Sequence, residues 1–352
     1  MQTMEPNQSK PKHSTPPHPR KYTAQDLKDM QAWPLEMKIQ VTQTRILEWI
    51  QRWGEDHVYI SFSGGKDSTV LLDLARRVLP SIPAVFCDTG LEYPEIRKFV
   101  KTFENVTWIR PEKRFDEVIK ECGYPIISKE VSHNICAARN GSQYALRTLD
   151  GVAADGSYSY YKDRNFAKWK YLMDAPFPIS DQCCNEIKKK PFKKYEKEHS
   201  QHPIVAIMAS ESNLRKLSWM NNGCNMFDGR RPISKPMSFW TEQDVLCYIL
   251  KFNIPLCSVY GDIVKDKNGK YKTTGKVRTG CMFCMFGAHL DKPPNTFQRM
   301  QLTHPKQWEY CMKPIEQGGL GLSVPLDYIG CPWKLEEEKT EVFSPNTAPD
   351  EC

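Results

Sequence analysis

Residues 57–72 read HVYISFSGGKDSTVLL, a β-branched and aromatic run from His57 to Phe62 that passes through Ser63-Gly64-Gly65-Lys66-Asp67-Ser68 into an apolar segment reaching Leu79. The first run has the pattern of a strand, and TVLLDLARRVL has the 3.6-residue spacing of a helix. Where a strand feeds a helix through two glycines, the backbone at Gly64 and Gly65 can approach an anion closely. The free N–H groups and positive dipole end of the helix then stabilise negative charge. Ser61, Ser63 and Ser68 add hydroxyl donors and Lys66 a cation. Asp67 either orients a metal ion such as magnesium or caps the helix. The spacing G-x-x-x-x-G-K-[ST] is absent and so is G-x-G-x-x-G, which excludes a Walker A loop and a dinucleotide fingerprint. The expected ligand is a phosphate-bearing anion.

Working outward, Glu36 to Trp53 carries apolar residues at helical spacing ahead of this strand. Pro83 to Cys87 reads as a second strand, Tyr93 to Phe103 as a helix and Val106 to Ile109 as a third strand. A helix at Phe115 to Cys122 and a later strand at Ile204 to Met208 continue the alternation. Such alternation predicts an α/β fold, a doubly wound and mainly parallel sheet with helices on both faces. Thr241 is placed to cap a helix over EQDVLCYILKF, and Asn268-Gly269 signals a hairpin. Residues 1–20, rich in Pro, Lys, Ser and His, and the acidic stretch 334–352 read as loose tails. Between them the expected organisation is a nucleotide-binding domain over 21–255, with an insertion at about 130–200, and a cysteine-containing region over 256–333.

The chain has 352 residues, 40% hydrophobic and 26% charged, which excludes global disorder. It has neither an apolar run of membrane-spanning length nor the pattern of a secretory signal at its start, so a cytoplasmic location and no membrane partner are expected. The net charge of +7 suits a phosphate-bearing ligand or nucleic acid. Thirteen cysteines, an odd number, point away from a disulfide framework. Cys183 and Cys184 lie in DQCCNEIKKKP and Cys281 and Cys284 in TGCMFC. Four thiolates bind zinc or a 4Fe-4S cluster, and spacing does not separate the two. Adjacent cysteines serve one site only at a kink or helix end. Cys122, Cys136, Cys224, Cys247 and Cys257 read as buried apolar residues.

SGGKDS in its strand–loop–helix context resembles the PP-loop of the ATP pyrophosphatase and adenylyl-transferring superfamily. CDTGLEYPE, over residues 87–95, is similar to an element of the phosphoadenosine phosphosulfate (PAPS) reductase family that lies near the nucleotide. The resemblance assigns Asp88, Thr89, Gly90 and Glu92 to the same crevice as the phosphate loop. It also makes Arg215, in SESNLRK, a phosphate or sulfate contact, and Lys66, Asp67 and Arg215 the catalytic set. The paired cysteines resemble the cluster-binding set of the adenylyl-sulfate reductases, with Lys188 and Lys189 beside them. With KPMSFWTEQDVLCYILKFNIP these motifs run collinearly across residues 58–287. The implied fold is Rossmann-like, of the adenine nucleotide alpha hydrolase type, with a cysteine-rich C-terminal elaboration.

Two features depart from the reductase pattern. Its C-terminal E-C-G-L-H nucleophile motif is represented only by Glu351-Cys352, leaving Cys331 or another thiol as a substitute, and the complete SGGKDS is more typical of members that cleave ATP. The resemblance thus implies an ATP-using enzyme of sulfur metabolism that adenylates an acceptor or transfers sulfur. A 4Fe-4S cluster, magnesium and a sulfur donor protein are its expected companions, as in DNA-phosphorothioation and tRNA-thiolating enzymes. The alternatives are a PAPS or adenylyl-sulfate reductase with a thioredoxin-type donor, and a non-catalytic nucleotide or nucleic-acid binding module. For a DNA or tRNA acceptor, Arg139 to Tyr171 offers Arg147, Lys162, Arg164, Lys168 and Lys170 among Tyr144, Tyr158, Tyr160, Tyr161, Phe166 and Trp169; an insertion packing its aromatics on the domain explains the stretch equally well.

Overall fold

The computed structural model describes residues 20–157 and 166–335. Cys352, Tyr158, Tyr160, Tyr161, Lys162 and Arg164 lie outside the described residues, as do most of both predicted tails. In chain order the regular elements begin with α1 (Ala24–Gln31), α2 (Leu35–Trp53), β1 (Val58–Ser61), α3 (Lys66–Arg76), β2 (Ala84–Cys87), α4 (Pro94–Val100) and β3 (Val106–Ile109). Next come α5 (Phe115–Cys122), β4 (Ile126–Ile127), α6 (Lys129–Arg139), α7 (Gln143–Asp150), α8 (Lys190–His199), β5 (His202–Val205) and α9 (Asn213–Asn222). Short strands β6 (Asn225–Met226) and β7 (Ile233–Ser234) precede α10 (Glu242–Phe252), β8 (Ile263–Lys265) and β9 (Tyr271–Thr273). The last elements are β10 (Met285–Phe286), α11 (Thr296–Thr303), α12 (Pro305–Met312) and α13 (Ser323–Tyr328). The described chain divides into two compact units, one of 20–86, 94–109 and 195–278, the other of 87–93, 110–157, 166–194 and 279–335.

The first unit is built on a six-stranded sheet of order β3-β2-β1-β5-β7-β6. β1 runs parallel to β2 and β5, in register Ile60↔Ala84 and Ile60↔Ile204, and β5 runs parallel to β7. β6 is antiparallel to its neighbour β7. Val58, Tyr59 and Ile60 are fully buried, as expected of a central parallel strand covered on both faces. The α2 residues Ile46, Trp49 and Ile50 and the α3 residues Val70, Leu71 and Leu74 supply much of that cover. The expected α/β class and mainly parallel sheet are therefore present.

Thr241 accepts the Asp244 N–H and Asp244 the Thr241 N–H, closing the capping box expected at the start of α10. Asp244 also pairs at 2.6 Å with buried Lys38, which donates to the Gln31 carbonyl. The Asn268-Gly269 hairpin forms as β8–β9, its turn held by Asp266 accepting from the Asn268 and Lys270 N–H groups. Boundaries differ where capping decides them. α3 begins at Lys66 rather than Thr69, because Gly65 takes the N-cap position. α4 stops at Val100 because Thr102 and Phe103 bond back to Phe99 and Val100, a tighter turn. The strand expected at 204–208 occupies 202–205, after which the Ile207 N–H turns back to the Val205 carbonyl.

In the second unit β4 and β10 form a two-stranded parallel pair, Ile126↔Met285, which the sequence pattern does not announce. Its core includes Ile126, Ile135, Leu149, Met285, Phe297, Cys311, Leu322 and Leu326. Cys224 and Cys257 are buried as expected, whereas Cys122, Cys136 and Cys247 are only half-buried. Cys247 shows why: the buried face of α10 is carried by Val245, Leu246, Tyr248 and Ile249. Among the described residues no helix is long and apolar enough to cross a membrane.

Candidate functional site

In the first unit β1 delivers Ser61 and buried Phe62 to the phosphate loop, and exposed Ser63 opens it. Gly64 has φ +68°, and a Cβ there would stand 2.7 Å from Val100 Cγ2 and 2.9 Å from Ile96 Cγ2, so the turn requires glycine. Ser68 organises the loop from behind: its Oγ accepts the Ser63 N–H at 3.2 Å, lies 3.0 Å from Ser63 Oγ, and donates to the Gly65 carbonyl at 2.9 Å. Ser68 is thus a scaffold for the loop in this arrangement.

Lys66 is buried, with a side chain 2% exposed. Its Nζ donates to the Val277 carbonyl at 2.9 Å and forms ion pairs with Glu242 at 3.3 Å and Asp67 at 3.6 Å. Its backbone N–H donates to the Tyr260 hydroxyl. Asp67 makes no cap, since α3 has no side-chain cap hydrogen bond, and its buried Oδ1 has no hydrogen-bond partner. Burial pushes the Asp67 carboxyl above its ordinary range, against the attraction of Lys66 and Arg278. Arg215, expected at a phosphate, pairs with Glu211, which also faces Arg278 at 3.4 Å. Motif reading gave no role to Glu211, Glu242, Tyr260 and Arg278, although Glu211 lies within SESNLRK, Glu242 within the element capped by Thr241, and Arg278 next to TGCMFC.

The raised Asp67 carboxyl has a stability consequence. A group bound more tightly by its proton in the folded chain adds stability that is full below its unfolded value of 3.8 and is lost as pH rises through the folded one. Asp67→Asn is therefore expected to raise the melting temperature at pH 7. Melting curves at descending pH check it, because the gain shrinks as the wild-type carboxyl becomes protonated.

In the second unit β2 leads into Asp88-Thr89-Gly90-Leu91-Glu92. Glu92 folds back, accepting from the Thr89 N–H at 3.0 Å and Oγ1 at 2.7 Å, with Gly90 at φ +76° between them. Asp88 lies 3.6 Å from Arg110. The Leu91 carbonyl accepts the Met282 N–H, which ties this loop to the Cys281–Cys284 turn. Cys183 and Cys184 open a helical stretch that passes through the π-turn Asn185–Lys189 into α8, so the adjacent cysteines do sit at a helix end. Their sulfurs lie 4.0 Å apart.

The Cys183 hydrogen bond, aided by Lys129 and Lys188 against the penalty of burial, holds the Cys184 thiol well below its ordinary value. Cys183 is driven up by the same pairing and by burial. Burial raises Cys281 and takes Cys284 up to about 11, with the neighbouring thiols acting on both. Burial opposes the charge on Lys188, yet Cys281, Glu92 and Cys184 hold its ammonium above the usual lysine value. The four predicted cysteines thus share one neighbourhood with Lys188 as counter-charge. Among the described residues no three His, Cys, Asp or Glu side chains converge on a position for a single metal ion. Cys87, close by, is a structural thiol: its Sγ donates to the Ile187 carbonyl at 3.4 Å, and burial with Glu92 raises it to about 12.

Of the expected basic and aromatic stretch, Tyr144, Tyr171, Lys168 and Lys170 are exposed. The Arg139 guanidinium donates to the carbonyls of Leu172, Met173, Ala175 and Phe177, and Phe166 is buried. Lys170 pairs with Asp150 at 2.6 Å, and the Lys168 ammonium lies 5.0 Å from the Trp169 ring centroid. Cys331 is buried and accepts from Asn295 Nδ2 at 3.7 Å.

The chain is 33% identical over 76 residues to the phosphoadenosine 5'-phosphosulfate reductase of Xylella fastidiosa, covering 22% of this chain and 32% of that protein. It is 28% identical over 209 residues to sulfate adenylyltransferase subunit 2 of Geobacter metallireducens, covering 56% of this chain and 58% of the relative. It therefore spans less than two thirds of either relative's length. A phosphoadenylyl-sulfate reductase from Candida auris, solved as a phosphate complex, aligns over 70% of this chain and 97% of that one at 12% identity and a TM-score of 0.36. Residues 57–140, from the turn before β1 to just past α6, match the phosphoadenosine phosphosulfate reductase domain.

Proposed function

We propose that this chain is an ATP-using PP-loop enzyme of sulfur metabolism. The acceptor oxygen attacks the α-phosphorus of ATP, pyrophosphate leaves, and sulfur from a donor protein then displaces AMP from the adenylated acceptor. The observation that carries this reading is the start of α3, where buried Lys66 and half-buried Asp67 stand behind a loop that only glycine can form. Lys66 binds and neutralises the departing pyrophosphate, exchanging the Val277 carbonyl and Glu242 for phosphate oxygens. The relative named sulfate adenylyltransferase subunit 2, matched over 209 residues, supports ATP as the nucleotide.

Asp67, whose buried Oδ1 has no hydrogen-bond partner and only the Lys66 ammonium at 3.6 Å, fits a magnesium ion, which would add charge to offset the phosphates. Cys183, Cys184, Cys281 and Cys284, with Lys129 and Lys188 beside them, fit a 4Fe-4S cluster, which would supply one-electron chemistry or an iron Lewis acid. Zinc fits less well. Four thiolates at a Zn–S length of about 2.3 Å lie about 3.8 Å apart, and no three of these groups converge that way.

The identity to the Xylella fastidiosa reductase favours a second reading, a PAPS or adenylyl-sulfate reductase served by a thioredoxin-type donor. Cys331, buried and hydrogen-bonded, is a poor nucleophile for it. An anaerobic turnover assay with ATP and with PAPS separates the two. Pyrophosphate and AMP from ATP are expected. Sulfite and 3′,5′-bisphosphate from PAPS, without pyrophosphate from ATP, would replace the first reading with the second.

A further inference from the structure

We propose that Arg278 and Arg215 together form a subsite for the terminal phosphates of the nucleotide, and that Glu211 is the carboxylate which those phosphates displace. The inference rests on the nucleotide reading above and adds a residue and an exchange that the motifs do not contain. Glu211 bridges both guanidinium groups, pairing through Oε2 with Arg215 and through Oε1 with Arg278 at 3.4 Å. Its Oε2 also accepts the Met208 N–H at 2.9 Å, so the carboxylate is fixed by its own backbone turn while the arginines reach toward it. Guanidinium forks match phosphate and carboxylate geometry alike, and an anion of higher charge competes for them. Both arginine side chains are open to solvent, 41% and 57% exposed.

The chain places this pair beside the phosphate loop. Val277, immediately before Arg278, gives its carbonyl to Lys66 Nζ, and the charges of Lys66 and Arg278 both act on Asp67. Lys66 is thus held by the Val277 carbonyl, and Arg215 and Arg278 by the Glu211 carboxylate; phosphate oxygens replace both acceptors. The exchange is reversible and involves no covalent change.

Calorimetric titration of the full chain with ATP, AMP and inorganic pyrophosphate tests the proposal. Arg278→Gln is expected to weaken ATP and pyrophosphate about 10- to 100-fold, the range for losing one charged hydrogen-bonding partner. AMP affinity and melting temperature stay unchanged, and Arg278→Lys restores part of the loss. Glu211→Gln, which removes the competing charge, is expected to tighten pyrophosphate binding. Unchanged ATP affinity in Arg278→Gln, or equal losses for ATP and AMP, overturns the subsite while leaving the nucleotide reading in place. A wild-type chain that binds neither ATP nor pyrophosphate overturns both.

Discussion

Lys66→Ala lowers pyrophosphate release from ATP by about 100- to 1,000-fold, the effect of removing one preorganised charge from a developing anion. The argument begins with burial. A lysine ammonium only 2% exposed is costly to desolvate, and here it is held by a carbonyl and two carboxylates. Such a group needs no solvent reorganisation when the leaving group gains charge, which is why its contribution falls on turnover more than on binding. AMP, which lacks the departing phosphates, should bind the variant almost as well as the wild type. Quenched-flow measurement of pyrophosphate with parallel AMP titrations reads both. A variant that turns over normally would show that Lys66 is only a structural tether for Val277. Equal losses in AMP binding would show that the loop had collapsed.

The loop and its flanking elements were legible because strand, glycine turn and helix are encoded within sixteen consecutive residues, each with a short-range signal. β1, α3, β3 and α5 follow from periodicity, and the α10 cap follows from Thr241 and Asp244 three residues apart. The partners of the functional side chains were not legible, since they come from afar: Val277 is 211 residues from Lys66, and nothing in Val-Arg-Thr-Gly announces a carbonyl acceptor. Residue type alone does not show such engagements: four backbone carbonyls around 172–177 take up the Arg139 guanidinium, and the Thr89 N–H and hydroxyl each bond to one Glu92 oxygen. Hydrogen-bond geometry within a fold decides such cases, and composition does not carry it.

The cysteine set makes the other large prediction. Purified anaerobically, the wild-type chain should carry about four iron and four sulfide per molecule, and Cys184→Ala or Cys281→Ala should lose nearly all of both. Each comes from a different element, Cys184 from the helical stretch before α8 and Cys281 from the turn held by Leu91, so loss in both variants cannot reflect failure of one local segment. Cys87→Ser is the control. It lies in the same neighbourhood, its thiol donates to the Ile187 carbonyl, and burial keeps it protonated at neutral pH, so a hydroxyl can replace it without loss of iron. Thiolate ligands must surrender protons to bind metal. Cys184, already held low by Cys183 and the two lysines, is therefore the position from which assembly should start. One zinc per chain without sulfide would replace the cluster with a mononuclear site, and iron that survives both alanine variants would remove the assignment altogether.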